Sequence, residues 1–460
     1  MEDVRKAFLV EKKNGFDIVS KEDAIAAERF CDGYKTFLDR AKTEREAADA
    51  AVSILSAAGF IPYKRGMKLE PGAKVYSLNR GRALAAAVIG SEPVEAGANI
   101  TAAHIDAPRI DLKPMPLYED SEMAFFKTHY YGGIKKYQWV TIPLELHGVM
   151  FKADGERVDV CVGADEDDPV FVITDLLPHL AREQTQKPAA TIFTGESLNV
   201  LAGGSPYADD GSDRYKLAVM SLLNEQYGVT EKDFLTSELS FVPGGRARDV
   251  GFDRCFVGAY GQDDRVCSYG ALIAMAESGE IPRHTSICIL ADKEEIGSEG
   301  VSGMQSAWYD TFMQDICSGA GAEYRIFCEN SRCLSADVGA AFDPNFPEAY
   351  DKRNSPAVNG GVQLMKYTGS AGKAAASDAG AELLSKIRTV FERDGVLWQV
   401  GELGKVDYGG GGTVAKYLAN RNIDTVDIGV PVLSMHSPFE VTAKLDVYMM
   451  YRAAKSFYTL

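Results

Sequence analysis

The sequence predicts an α/β fold interrupted by a β-rich insertion, and three observations carry that expectation. From about residue 250 onward, apolar strands alternate with helical patterns, which indicates a sheet layered by helices. The first 60 or so residues read as helical before the texture changes to strands. Between about 110 and 240 the chain is a succession of short β-type runs and polar turns. The expected division is therefore 1–109 with 241–460 as one discontinuous domain, and 110–240 as the insert. A chain of 460 residues is long enough for such an arrangement.

Each element has a local cause. Thr43-x-x-Glu46 is a capping box, and Ala47, Ala48, Ala51, Val52, Leu55 and Ala58 follow at helical spacing until Gly59 stops the helix. Lys74–Ser77 and Ala83–Ile89 flank an Asn79-Arg80-Gly81 turn and predict a hairpin. Ile100–Ile105 is a short apolar strand that ends in charged residues. Val140–Leu146, Val158–Val162 and Val170–Ile173 are the β-type runs of the insert. Beyond it come Cys255–Tyr260 as strand, Val266–Glu277 as helix, and Ser286–Ala291 and Thr425–Val430 as strands. A second capping box, Ser437-x-x-Glu440, is expected to open a closing helix over Val441–Tyr458.

Composition removes several function classes. Apolar residues make up 46% and charged residues 25%, the balance of a globular protein rather than a disordered chain. Lys and Arg number 49 against 66 Asp and Glu, a net charge of −17, which argues against nucleic acid or an anionic membrane as partner. The longest apolar runs fall far short of a membrane span, and Met1–Lys13 carries no stretch apolar enough for a signal peptide. Eight cysteines are scattered with no C-x-x-C pair, as expected of reduced thiols. A cytoplasmic protein is the expectation.

The residues that carry chemistry are few. Among six histidines, His104 and His436 stand at predicted strand ends, beside acidic or small residues. Asp106 lies two positions from His104, on the same face of a strand, and can orient the imidazole. Three acidic clusters follow: Asp263-Asp264, Asp292-Lys293-Glu294-Glu295 and Asp337. Singly each suits a helix cap or a solvated turn. Together they fall at the carboxyl ends of predicted strands, where open α/β sheets place their sites. Two imidazoles and three carboxylates suit a pair of divalent ions, with one carboxylate between them and a net +1 left on the site. With adjacent Glu294 and Glu295, one can bind metal while the other serves as a free base. Nitrogen and oxygen donors favour zinc or manganese.

Ala103-His104-Ile105-Asp106-Ala107-Pro108, Asp292–Ser298, Ser335-Ala336-Asp337 and Asp427–Ser437 together resemble the aspartyl aminopeptidase/aminopeptidase I family of two-metal metallopeptidases. The match runs in order over most of the chain. The resemblance implies a mixed-sheet catalytic domain interrupted by a β-rich dimerisation domain, and dodecamers built from dimers. It also implies one metal on His104 and Asp337, the other on Glu295 and His436, with Asp263 bridging and Asp264 in a position that is Asn in the family. Zinc is the expected ion, with manganese or cobalt as substitutes. Glu294 falls on the general base, so the implied reaction is removal of N-terminal residues from peptides by a hydroxide held on the metals.

His179 aligns with a histidine donated to a neighbouring subunit's site, and Lys366 with a lysine that contacts an acidic first side chain. The chain departs from the family at Asp343, where His is common, and after Tyr131-Gly132-Gly133. Gly409–Gly412 is expected to frame the pocket. The alternatives are a related glutamyl aminopeptidase, an N-acyl amino acid deacylase, or a non-catalytic shell or cargo-binding protein.

Overall fold

A computed structural model describes residues 4, 8–10 and 13–460, so most of Met1–Lys13, and with it the leader reading, lies outside the described residues. Helices Lys21–Arg40 and Glu44–Ala57 open the described fold, the second entered through the expected box: Thr43 and Glu46 each bond the other's backbone N–H. Among the described residues a nine-stranded mixed sheet forms the centre. Its strands run in the spatial order Ile61–Pro62, Lys74–Asn79, Ala83–Val88, Thr285–Ala291, Ala98–His104, Arg332–Ala336, Asp424–Gly429, Val362–Met365 and Trp398–Val400. Ala98–His104 and Thr285–Ala291 are buried at every position, as central strands covered on both faces must be.

Alternation on the Ala83–Val88 strand feeds two cores. Leu84, Ala86 and Val88 pack with helices Lys21–Arg40, Gln262–Ala276 and Lys444–Phe457, whereas Ala85 and Ala87 pack with Ala307–Ala320. A third core lies under a six-stranded sheet built from Arg157–Val162, Leu144–Phe151, Ser237–Pro243, Arg109–Asp120, Met123–Tyr131 and Val200–Gly203. A five-stranded sheet includes Phe256–Ala259, Glu440–Ala443 and Pro431–Leu433.

Three local expectations are corrected. The strand expected over Val140–Leu146 runs instead over Leu144–Phe151, because Pro143 cannot donate to a ladder and the strand begins after it. Val170–Ile173 makes only isolated bridges, Phe171 to Leu144 and Val172 to Leu201. Ser437 and Glu440 do not cap the closing helix, which spans Lys444–Phe457. Glu440 starts a strand, and its carboxylate accepts the N–H groups of His436 and Asp263, two stronger demands than a helix end. Among the described residues no helix is long and apolar enough to cross a membrane, and the eight cysteines are unpaired.

Candidate metal centre

Register brings the acidic clusters together. Thr285–Ala291 and Arg332–Ala336 flank Ala98–His104 in parallel, with Ala291 opposite His104 and Ser335 opposite Ala102. All three strands therefore end at one edge, and the chain leaving them carries Glu294, Glu295 and Asp337 to His104. Asp263 and Asp264 arrive from the first turn of Gln262–Ala276, where both have non-helical backbone angles. His436 comes from the turn after Pro431–Leu433.

Asp263 stands between the two histidines. Its Oδ1 lies 3.2 Å from His104 Nε2, and its Oδ2 lies 3.0 Å from His436 Nε2. Asp337 Oδ1 is 3.7 Å from the same His104 nitrogen, and Glu295 Oε2 is 3.4 Å from His436 Nε2. The other ring nitrogens are engaged by carbonyls: His104 Nδ1 lies 3.1 Å from the Asp106 carbonyl and His436 Nδ1 lies 2.8 Å from that of Gly133. With those nitrogens donating, each Nε2 is left available to a metal ion. Two donor groups have ligand atoms within 4.8 Å of one another, His104 with Asp263 and Glu295, and His104 with Asp264 and Asp337.

The electrostatics call for a cation. Burial, then the charge of Asp263, drives Glu295 well above the usual carboxylate range. Burial and then Asp337 do the same to Asp264 and push Glu294 up to about 8. Burial alone would lower both imidazoles. Hydrogen bonds to Asp106, Asp263 and Asp337 instead hold His104 well above its ordinary value, and Asp263 with Glu295 lifts His436 to about 10. Glu295 Oε1 and Asp264 Oδ1 are buried without a hydrogen-bond partner. A buried acidic site with orphaned oxygens and two imidazole nitrogens fits zinc, whose binding would release the protons these groups otherwise retain.

Asp106, fully buried, accepts the N–H groups of Glu294 at 3.1 Å and Glu295 at 3.2 Å. Glu440 is the residue that sequence reasoning missed as part of the site. Its Oε1 accepts from His436 N at 2.7 Å and its Oε2 from Asp263 N at 3.1 Å. His436 has φ 63°, a costly conformation for a non-glycine residue, and that hydrogen bond helps to hold it. The spacing His436-x-x-x-Glu440 was the available signal, but it reads equally as a cap.

A cavity of about 350 Å³ opens onto the cluster. Asp263, Glu294, Glu295, Asp337 and His436 line one part, while Val338, Met365, Leu403, Met435 and the glycines Gly410–Gly412 line the rest. Gly410–Gly411 pairs with Gly369–Ser370, so the glycine run frames the pocket as a short ribbon. Lys366 is exposed and is not among the lining residues, although its neighbours Met365 and Thr368 are. His179 is also exposed, in a turn beside Leu176, Leu177 and Leu180, which excludes a core role within the protomer.

The profile of the aminopeptidase I zinc metalloprotease (M18) family matches residues 37–458. An M18-family aminopeptidase from Thermotoga maritima shares the fold with a TM-score of 0.93 and 42% identity, covering 98% of this chain and 99% of that one. Aminopeptidase I from Clostridium acetobutylicum gives a TM-score of 0.91 and 42% identity, over 98% and 99% of the two chains. A probable M18 family aminopeptidase 1 from Borrelia garinii subsp. bavariensis is 45% identical, over 98% of this chain and 100% of that one. A buried cluster of imidazoles and carboxylates that calls for a cation, set in this fold and matched over this length, means that the chain belongs to the M18, aminopeptidase I family of zinc metallopeptidases and is an aminopeptidase.

Proposed function

We propose that the protein removes single N-terminal residues from peptides at a two-metal centre, with His104 and Asp337 on one ion, Glu295 and His436 on the other, and Asp263 between them. The observation that carries this reading is the orientation of Asp263, one oxygen toward each histidine. When bound, the metals supply Lewis acidity, polarising the scissile carbonyl and acidifying water. Glu294 is the general base. It lines the cavity, and burial with Asp337 raises its carboxyl in the metal-free protein. Once bound cations offset that charge, the carboxylate is free to accept a proton from the attacking water and return it to the leaving amine. Water adds to the carbonyl carbon, the C–N bond breaks, and the products are a free amino acid and the shortened peptide. Asp106 orients His104 and the backbone that presents Glu294.

The apolar wall of Val338, Met365, Leu403 and Met435 supports an uncharged first side chain, whereas an acidic preference would require Lys366 to turn inward. Residues 110–240 form the dimerisation domain in this reading. Exposed Leu176, Leu177 and Leu180 around His179 support burial of that loop against a second subunit. Higher assembly into dodecamers rests on family resemblance, and unpaired cysteines support a reducing, cytoplasmic setting.

The test is Glu294→Gln in the zinc-loaded protein. Metal content should stay at the parent level while turnover falls by about 10²–10⁴. A panel of leucyl, methionyl, aspartyl and N-acylated substrates then separates the side-chain readings and the deacylase alternative. Near-native turnover in Glu294→Gln would remove the assigned base.

A further inference from the structure

The six-stranded sheet approaches the metal centre at Tyr131–Gly133, beside the link that joins His104 to the sheet's strand Arg109–Asp120. Tyr131 ends the strand Met123–Tyr131 and is paired in register with Arg109. The Arg109 guanidinium lies 4.1 Å from the centre of the Tyr131 ring. Arg109 is itself fixed by Glu44 at 2.9 Å and Asp111 at 2.8 Å. With the ring held on one face, its hydroxyl donates to Asp106 Oδ2 at 2.7 Å. Asp106 is the carboxylate that takes the N–H groups of both Glu294 and Glu295, and its Oδ1 lies 3.3 Å from His104 Nδ1. Two residues on, the Gly133 carbonyl accepts from His436. Gly132 has φ 74°, and a Cβ there would sit 3.4 Å from Glu295 Oε2, so the chain turns hard against a candidate ligand.

We propose that Tyr131 is a positioning residue of the metal centre: its hydroxyl fixes Asp106, and through Asp106 the turn that presents Glu294 and Glu295. This rests on the ligand set proposed above. A carboxylate that serves two backbone donors and a histidine at once has more than one rotamer in which to do part of that work. The phenol, anchored from a different sheet, selects the rotamer that serves all three. Docking of the six-stranded sheet is thereby coupled to the geometry of the base.

Tyr131→Phe in the full-length protein removes one O–H and keeps the ring against Arg109. Its zinc affinity, measured by competition with a chromophoric chelator, should fall about 10–100-fold, the usual effect of losing a group that orients metal ligands. The visible spectrum of the cobalt-substituted protein should shift, kcat at saturating zinc should fall with KM unchanged, and the melting temperature of the metal-free protein should stay at the parent value. In an Asp106→Ala background the same change should add nothing. Unchanged zinc affinity and cobalt spectrum in Tyr131→Phe would overturn the proposal, as would an additive loss on top of Asp106→Ala. Should Asp106→Ala fail to fold, the Tyr131→Phe titration alone decides. Asp263→Ala separates the two layers. If it retains zinc, the ligand set is wrong. If it loses zinc while Tyr131→Phe keeps parent affinity, the ligand set stands and only the role of Tyr131 falls.

Discussion

Replacing Glu440 by Gln tests how much the backbone around the site matters. Glu440 is 1% exposed, and each of its oxygens accepts one N–H, from His436 at 2.7 Å and from Asp263 at 3.1 Å. Glutamine offers one oxygen and one NH2, so in either orientation a donor faces a donor. An orphaned buried N–H costs about 1–3 kcal/mol. Where that cost falls depends on charge. Burial, and then the Asp263 carboxylate, push the Glu440 carboxyl up to about 8 in the absence of metal. Near neutral pH much of the metal-free protein therefore already carries a proton there, and resembles the Gln variant. A bound cation draws that proton off, so the penalty is specific to the loaded state. At 1.4 kcal/mol per tenfold, zinc affinity should fall roughly 5- to 150-fold. Chelator competition at neutral pH reads the affinity, and thermal unfolding of the metal-free protein should show little change. Parent zinc affinity combined with a destabilised metal-free protein would refute this reasoning, because Glu440 would then be supporting the fold alone.

Two further expectations concern regions away from the cluster. His147 bridges Glu46 at 2.8 Å and Glu145 at 3.1 Å; burial would lower its pKa, but its hydrogen bonds with Cys161, Glu145 and Glu46 raise it to about 11. Its folded value exceeds the unfolded one, so its contribution is complete below about 6.5 and is lost as pH rises toward 11. The stability difference between parent and His147→Gln, followed by denaturant titration, should therefore shrink across that window, and a constant difference would contradict the assignment. His179→Ala should lower turnover without changing zinc content or assembly size. Mixed with Glu294→Gln subunits it should recover activity above either parent variant, and no recovery in demonstrably mixed assemblies would confine His179 to a surface role.

What the sequence made legible was local or repeated over a short span. Thr43 and Glu46 announce their helix because both partners of the box lie within one turn. The hairpin of Lys74–Asn79 and Ala83–Val88 is readable from its turn and its alternation. The two histidines and three acidic clusters could be nominated because strand ends collect ligands in sheets of this type, whereas the choice of Asp263 and Glu295 within their clusters needed the family resemblance. Asp263, Glu295, Asp337 and His436 line one pocket, with His104 3.2 Å from Asp263. Glu440 and Tyr131 escaped for the opposite reason. Tyr131 meets Asp106 and Glu440 meets Asp263 only through the tertiary fold, and Ser437-x-x-Glu440 offered a nearer and equally plausible use for the Glu440 carboxylate. Lys366 shows the limit in the other direction: its position beside Met365 fits a pocket residue, yet it lies in the bend just past the buried strand Val362–Met365, and its side chain is exposed.

The placement of His104 and His436 at opposite ends of the chain sets the order of events during synthesis. About 330 residues separate them, and at ~5–20 residues per second the first imidazole leaves the ribosome roughly 20–60 s before the second exists. Asp263, Glu295 and Asp337 emerge in between: the strand before Glu295 finds both neighbours, Ala83–Val88 and Ala98–His104, already made, while the strand before Asp337 still lacks Asp424–Gly429. On the proposed ligand set the donors of one ion, His104, Asp263 and Asp337, exist before His436 does, so only the second ion would have to wait for the end of the chain. Completion of the proposed pair would thus act as an inspection of the finished product: a chain that stops short of Pro431–Leu433 and the turn beyond it lacks His436.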